Sequence, residues 1–423
     1  MDADIPSHMC SLPTELILTF FIYLPPKDLT KCRQVCSRWK LIVDILLNKN
    51  ELWTRYCKID FPSVYKPARL KAKSGVSWFN LYKSLSLWPR IAEAREERDE
   101  FASAAAGINE IRNFQILDNG IIGVHTKSSI TFYNIETLEV SKRSPINGTF
   151  SRYAENDTVI MILNYNLQFY IIRRVQNCQQ EPDKMFTNVK LFTATDTAVY
   201  YVTLNDEIYV CKLYNQGGLL TTTFIRQSED NIMALGCTDN RLNVLTFSKN
   251  IYTVIDNNLV FACTLGPDSN LLHQFQKYNL LDQMDWRVYI QWMYVFNHTI
   301  PDGPLQDLII VHKYQNIYFV GTKWGVLRIY HAMSSDEDFD IFNTEPVKQY
   351  NFMERFDCPV LSICPIIGVD AMESVDGHTV LVAMPKKIAV LNFSHSFKRT
   401  ASLAMLPYDE VQSIKHLKIN HSC

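Results

Sequence analysis

The sequence lacks an apolar run long enough to cross a membrane. The run near its start, Leu16–Leu24, has nine residues, whereas a membrane-spanning helix needs about 20. The residues before it, MDADIPSHMC, are acidic where a secretion signal is basic, and Pro25-Pro26 follows in place of a small-residue cleavage site. We therefore expect a cytoplasmic or nuclear chain.

An excess of charge of one sign is also missing. Lys and Arg number 42 against 44 Asp and Glu, the net charge is −2, and no long Lys/Arg run occurs. Global attraction to nucleic acid or to an anionic membrane is thereby excluded. The 11 cysteines are odd in number and irregularly spaced, which argues against a disulfide framework and indicates reduced thiols.

Motifs of nucleotide binding and hydrolysis are absent. No stretch matches a Walker loop, a dinucleotide Gly pattern, a nucleophile elbow or His-Glu-x-x-His. The pairs Cys32/Cys36 and Cys358/Cys364 each lack the second half of a tetrahedral zinc site. We expect no cofactor, no metal and no catalytic residue. A hydrolase assembled from residues distant in sequence is the alternative.

Three short helices are predicted between Thr14 and Cys57. Between Leu16 and Leu24 only Thr19 is clearly polar, so a helix there must be covered on most sides. Pro25-Pro26 ends it, because proline cannot continue the hydrogen-bond ladder. Apolar residues then recur at helical spacing in the second and third helices, at Leu29, Cys32, Val35, Trp39, Ile42, Val43, Leu46 and Leu47.

This opening resembles the F-box family. The matching elements are Leu12-Pro13, the apolar helix Leu16–Leu24, Asp28-Leu29, Val35-Cys36, Trp39 and Leu52-Trp53. The resemblance implies that residues 10–57 form a three-helix F-box, which docks on a Skp-family adaptor and through it on a cullin. The adaptor-binding positions that it implies are Leu12, Pro13, Leu16, Leu24, Leu29, Val35, Cys36 and Trp39.

Elementary energetics also favour a partner for this segment. A unit of about 45 residues is marginal as a free-standing fold, and its surplus apolar surface is buried most readily by a second protein, as in helix-in-groove recognition. The alternative is that some of these residues, particularly Val35 and Trp39, hold the three helices together.

Residues 58–107 are expected to be a helical linker. The stretch from Val76 to Phe101 opens with apolar residues and continues as AEAREERDE, which is predicted to be a solvated helix face.

The remainder, 108–423, shows weak internal repetition. One strand-like element recurs at Ser128–Asn134, Asn166–Ile172, Asp206–Lys212, Lys249–Ile255, Trp286–Trp292, Gly325–His331 and Lys386–Asn392. Between equivalent positions the steps are 37, 40, 43, 37, 40 and 61 residues. A period near 40 with two or more strands per unit indicates an all-β propeller, here with seven blades. No unit ends in Trp-Asp, so WD-repeat resemblance adds little, and a pair of β-sandwiches is the alternative.

The combined prediction is a multidomain, non-catalytic substrate receptor of an SCF-type ubiquitin ligase. It would raise the local concentration of a target protein near a charged conjugating enzyme. A non-degradative scaffold on the same adaptor is the alternative. Substrate-binding residues are unknown at this stage; the basic candidates are Arg152, Arg173, Arg226, Arg241 and Lys323, and Ser334–Asp338 is either a phosphorylation site or a solvated loop.

Overall fold

The computed structural model describes residues 12–73, 75–101, 111–156, 158–174, 184–213, 221–267, 270–283, 288, 291–292, 307–333, 339–341, 343–352, 365–375 and 377–395. Short helices form a helical module, defined here as residues 12–93. A β domain of four-stranded sheets follows it.

The helical module begins with helices α1 (Thr14–Ile22), α2 (Pro26–Cys32), α3 (Ser37–Leu47) and α4 (Asn50–Asp60). Pro26 is the first residue of α2, where its missing N–H does no harm because first-turn N–H groups have no helical partner. All four helices contribute to one apolar cluster, in which the Trp53 indole donates to the Leu47 carbonyl at 2.6 Å. The three predicted helices are confirmed.

Two further helices and a 3₁₀ helix join this cluster to the β domain: α5 (Tyr65–Lys71), α6 (Trp78–Leu85) and the 3₁₀ helix Trp88–Glu93. The Ser77 side chain accepts from the Asn80 N–H at 3.1 Å and caps α6. Leu81, Leu85 and Trp88 are buried in an apolar cluster that also contains strand residues. The helical module and the β domain therefore share a core.

The prediction of a helical linker fails at its charged end. Residues Arg95–Phe101 form strand β1, which pairs antiparallel with the last strand of the chain, β24 (Ile388–Ser394). Charged side chains of β1 have partners outside the strand: Glu100 pairs with Lys387, which precedes β24, at 2.9 Å, and the Arg98 guanidinium lies 4.3 Å over the ring of Phe352, which is outside this sheet. Long-range pairing overrides the helix propensity of these residues.

Three sheets follow in chain order. The first contains β2 (Ile111–Ile116), β3 (Ile121–Thr126), β4 (Ser129–Asn134) and β5 (Ile146–Asn147). The second contains β6 (Phe150–Glu155), β7 (Val159–Asn164), β8 (Phe169–Arg173) and β9 (Lys184–Phe186). The third contains β10 (Val189–Ala194), β11 (Ala198–Thr203), β12 (Glu207–Lys212) and β13 (Thr221–Gln227). Neighbouring strands are antiparallel throughout.

The remaining sheets repeat this order. The fourth contains β14 (Ile232–Thr238), β15 (Arg241–Thr246), β16 (Asn250–Ile255) and β17 (Asn258–Thr264). The fifth contains β18 (Leu308–Tyr314), β19 (Ile317–Thr322), β20 (Val326–His331) and β21 (Lys348–Asn351). The sixth contains β22 (Gly368–Glu373), β23 (Gly377–Ala383) and β24, and β1 completes it as the fourth strand.

Six of the seven predicted repeat elements are the third strands of these sheets, β4, β8, β12, β16, β20 and β24. The seventh is wrong. Where the structure describes Trp286–Trp292, at Val288, Gln291 and Trp292, the backbone is helical. The described residues thus form six four-stranded sheets, not seven.

The segment between β17 and β18 takes the place of the predicted seventh unit. It contains α7 (Leu271–Lys277) and the 3₁₀ helix Leu281–Gln283, and its apolar residues fill a cluster between the fourth and fifth sheets. Gly236 permits this close approach, because a Cβ atom there would lie 2.3 Å from the carbonyl oxygens of Tyr278 and Asn279.

Buried apolar clusters join each sheet to the next one in the chain. The second and third sheets meet through Phe169 and Phe192, whose ring centroids are 4.8 Å apart. The other junctions are similar, and the fourth and fifth sheets meet across the α7 segment. The sixth sheet also packs on the first, through residues such as Leu381 and Phe114.

Helix α5 lies against the β domain at several points. Lys66 pairs with Asp196 of the third sheet at 3.0 Å, and Lys71 pairs with Asp370 of the sixth. The helix also contacts the segment between β2 and β3. It therefore touches the sheets at the end where their first and second strands connect.

Candidate functional site

Helix α1 divides into a buried and an exposed apolar face. Ile17 and Phe21 point into the module core, each 2% exposed. On the other side Leu16 is 48% exposed, Phe20 55% and Tyr23 77%. Their spacing of four and then three residues places these three side chains in one row. We call this row the α1 stripe.

More apolar surface lies elsewhere on the module. Val35 is 59% exposed in the connection from α2 to α3. Leu41 and Ile45 are 61% and 48% exposed and lie one turn apart on α3. Scattered exposed apolar residues are normal on protein surfaces, but rows of them indicate an interaction surface.

Side-chain contacts fix α1 against its neighbours. Arg38 of α3 donates to the Leu12 carbonyl at 2.7 Å and to the Thr14 hydroxyl at 3.1 Å. At the other end the Tyr56 hydroxyl donates to the Leu24 carbonyl. The α1 stripe is therefore presented on a rigid support.

The eight residues carried over from the family resemblance are placed as follows. Pro13, Leu16 and Val35 are exposed, and Leu12, Leu24, Cys36 and Trp39 are half-buried. Leu29 is fully buried, at 0% exposure, in the module core. It offers no surface to a partner in this conformation, so its expected direct role in binding is corrected to a structural one.

Trp39 supports the stripe from behind. Its ring meets that of Phe21 edge-on, with centroids 5.0 Å apart. Sequence reasoning did not single out Phe20 and Tyr23, although their spacing from Leu16 in the run Leu16–Leu24 was the signal for them.

Two of the three cysteines of the module, Cys32 and Cys57, are poor candidates for chemistry. Burial, followed by the nearby charge of Asp28, raises the pKa of Cys32. Burial raises the pKa of Cys57 to about 12, with smaller contributions from Asp60 and Glu373. Both thiols stay protonated at neutral pH, whereas thiolates are the reactive and metal-binding form.

A second polar cluster joins the helical module to the sixth sheet. The Glu373 carboxylate accepts from the Trp88 indole at 2.7 Å, lies 3.0 Å from His378 Nδ1, and accepts from the Ser84 hydroxyl. Ser84, Glu373 and His378 are all 0% exposed. The His378 ring stacks on Trp88 with centroids 3.9 Å apart. We call these four residues the Glu373 joint.

The Glu373 joint contains a serine, a histidine and a carboxylate, but they are not arranged as a nucleophile with its base. Both Ser84 and Glu373 face the same imidazole nitrogen, Nδ1. The other nitrogen, Nε2, lies 3.2 Å from Nε2 of His395, whose pKa burial lowers to about 4. The cluster is buried from any substrate, so its role is to hold the helical module against the sixth sheet.

The basic candidates for substrate binding do not share one surface. The Arg152 guanidinium donates to the Phe192 carbonyl at 3.0 Å and has a structural role. Arg241 begins β15, directly after the first turn of the fourth sheet. Lys323 lies in the second turn of the fifth sheet, and first and second turns are at opposite ends of a sheet. The predicted modification site, 334–338, lies outside the described residues.

Searches for other site types give two limited findings. Among the described residues, no group of three or more His, Cys, Asp or Glu side chains could hold a metal ion. No helix in the same part of the chain is long and apolar enough to cross a membrane.

Comparison with known proteins gives a family match at the start of the chain. Residues 9–59 match the family described as F-box-like. A stretch of 121 residues is 28% identical to F-box/LRR-repeat protein 5 of Danio rerio and covers 26% of this chain and 17% of the relative. A stretch of 33 residues is 54% identical to the Salmo salar protein of that name, over 8% and 5% of the two chains. The chain thus spans less than a fifth of these relatives.

Among solved structures, the crystal structure of the N-terminal domain of Nup159 is similar at a TM-score of 0.41 and 8% identity. The match covers 71% of this chain and 96% of that one. Similarity at this level does not bear on function.

Proposed function

We propose that the α1 stripe is the docking surface for a Skp-family adaptor. Residues 9–59 match the F-box-like family, and this match places the chain among the F-box proteins. F-box domains typically bind such an adaptor. The observation that carries the proposal is the row Leu16, Phe20 and Tyr23, which is exposed while the opposite face of α1 is buried.

The expected strength follows from the size of these side chains. Leu, Phe and Tyr anchors at the centre of an interface typically lose about 2 kcal/mol or more on truncation. That corresponds to a dissociation constant about 30-fold higher for each truncated anchor. A charge placed there adds a desolvation cost, because the partner surface cannot pair it.

We further propose that the β domain is a closed propeller with the six sheets as its blades. Three features support it: the shared strand order, the clusters between consecutive sheets, and the packing of the sixth sheet on the first. In domain terms, residues 10–57 are the F-box, 58–94 connect it, and the propeller takes β1 together with the chain from 108 onward.

On this basis the chain is a non-catalytic substrate receptor of an SCF-type ubiquitin ligase, and it works in the cytoplasm or the nucleus. The adaptor links it to a cullin, and the β domain holds a target protein. Its contribution to the reaction is proximity, since a bound target meets the conjugating enzyme at a raised effective concentration. The shared core of module and β domain supports a fixed distance between the two functions.

The test uses the full chain and a purified Skp-family adaptor in a titration. Phe20→Asp is expected to weaken binding at least about 30-fold. Ile59→Asp is the matched control, since Ile59 of α4 is an apolar residue of similar exposure, 64% against 55% for Phe20, and lies outside the α1 stripe. Equal binding by the wild type and Phe20→Asp would refute the assignment.

A second experiment separates a ligase receptor from a scaffold. The Phe20→Asp chain is expressed in cells, and its co-purifying proteins are followed after protein synthesis is stopped. A receptor predicts that its targets become longer-lived than with wild-type chain, whereas a scaffold predicts unchanged lifetimes.

A further inference from the structure

In four of the six sheets, the second, third, fifth and sixth, the second turn (between the second and third strands) contacts the start of the next sheet. Carbonyls of Leu167 and Pro385 accept from the backbone N–H groups of Val189 and Ile111 at 3.0 and 2.7 Å. The same link recurs from Thr322 to Ile366, and through the Asp206 carboxylate to Ile232 N–H. This recurrence places the second turns together on one face of the β domain, which we call the second-turn face.

Exposed apolar side chains recur at these turns. Tyr165 is 55% exposed in the second sheet, Leu204 51% in the third, Phe247 64% in the fourth and Trp324 45% in the fifth. Each one directly follows a second strand or lies one residue beyond it. Four large apolar residues at equivalent positions of consecutive sheets form an arc, not a scatter.

The remaining second turns carry lysine. Lys127 of the first sheet and Lys386 of the sixth are exposed. Lys323 precedes Trp324 and is half-exposed, paired with Asp307 at 2.6 Å. Two carboxylates lie beside the apolar arc. Asp206 pairs with Lys190, whereas Glu229 is exposed between the third and fourth sheets. Exposed Lys127 and Lys386 thus give the first and sixth sheets one cation each on this face, whereas Lys323 is paired with Asp307 and Asp99 of β1 is exposed at the same end of the sixth sheet.

The opposite face is occupied by the helical module. Lys66 of α5 reaches Asp196 in the first turn of the third sheet, and Lys73 pairs with Glu136 after the third strand of the first sheet. In an antiparallel four-stranded sheet, the first and third turns lie at one end and the second at the other. The second-turn face therefore lies at the end of the sheets opposite to the one that α5 contacts.

We infer that the second-turn face binds an extended, acidic segment of a protein target, with aromatic or aliphatic side chains on the Tyr165–Trp324 arc and carboxylates beside the lysines. This inference rests on the proposed receptor function and names the class of its substrate. The lysines stand singly on separate turns, which suits several spaced carboxylates better than one phosphate gripped by clustered arginines.

The test selects ligands for the full chain from a random 16-residue peptide library and measures the selected peptides by fluorescence polarisation. We expect Asp/Glu together with Phe, Leu or Trp to be enriched. Phe247→Ser and Trp324→Ser should each weaken binding at least about tenfold, and Lys386→Glu should weaken it and flatten its salt dependence. Val375→Ser is the matched control, since Val375 is 48% exposed in a first turn.

Phe20→Asp separates the two proposals, because it should weaken adaptor binding at least about 30-fold and leave peptide binding unchanged. Phe247→Ser, Trp324→Ser and Lys386→Glu replace exposed turn residues in three different sheets, so one misfolded variant leaves the others informative. Failure to enrich any peptide, or equal peptide binding by wild type and Trp324→Ser, would overturn the inference. So would competition by a 15-nucleotide oligouridine, or a wild-type dimer that Phe247→Ser dissociates, which would identify a nucleic acid or a second copy as the occupant.

Discussion

The Glu373 joint makes a quantitative prediction about how the helical module is fastened. Glu373→Gln keeps the size of the side chain but removes its charge, and it places an NH₂ group opposite at least one of its three partners, the donors Trp88 and Ser84 and the imidazole of His378. Hydrogen bonds to a charged acceptor contribute about 1.5–3 kcal/mol each, and breaking a buried charged cluster costs about 3–5 kcal/mol. Because one amide oxygen can still accept, we expect a loss of about 2–3 kcal/mol for Gln and about 4 kcal/mol for Ala.

The measurement is urea unfolding of the full chain followed by tryptophan fluorescence, with Trp88 inside the joint as a local reporter. Glu136→Ala is the control, because it removes the exposed partner of Lys73 and should change the free energy of unfolding by less than about 0.5 kcal/mol. Proteolysis should cut Glu373→Gln between the helical module and β1 faster than wild type. If Glu373→Gln unfolds within about 0.5 kcal/mol of wild type, the carboxylate does not fasten the module.

Three further predictions concern the β domain and the module core. Burial lowers the pKa of His125 to about 3, well below the usual value of about 6.5. The buried neutral form therefore contributes its full stability above pH 6.5, and this contribution is lost as the pH falls, so that at pH 5 the free energy of unfolding is about 2 kcal/mol lower. Urea unfolding of His125→Leu should lack this part of the acid sensitivity. Gly236→Ala puts a Cβ atom against the Tyr278 and Asn279 carbonyls and should lower the melting temperature by several degrees, whereas an unchanged value would mean that the α7 segment shifts freely. Trp53→Phe removes the indole bond to Leu47 and leaves a cavity, and calorimetry should show a loss of about 1–3 kcal/mol.

Local sequence patterns predicted the strands of the β domain well where the conformation of a segment depends mainly on its own residues. The third strands contain short apolar runs bounded by turns, and six of the seven elements found by this pattern are strands. Trp286–Trp292 has similar composition, but its surroundings are helical and pack across a gap between two sheets. A short apolar run cannot distinguish a buried strand from a buried helix.

Long-range partners explain the other errors. Nothing near Arg95–Phe101 in sequence indicates that Ile388–Ser394 will pair with it. Leu29 carries the family spacing of a binding residue, yet packing turns it into the module core. The Glu373 joint draws Ser84 and Trp88 against residues almost 300 positions later, since Ser84 and Glu373 are 289 apart, and no local pattern could reveal it.

Strand β1 also determines when the sixth sheet can form during synthesis, because its partner strand lies near the end of the chain. Phe101 pairs with Ile388, so 388 − 101 = 287 further residues must leave the ribosome before the sixth sheet can form. At about 5–20 residues per second, the waiting time is roughly 15–60 s. An apolar strand left unpaired for so long would invite aggregation, whereas alternating Arg, Glu and Asp keep a waiting edge soluble. The acidic and basic residues of Arg95–Phe101 thus protect the nascent chain from aggregation, in addition to their role in the folded sheet.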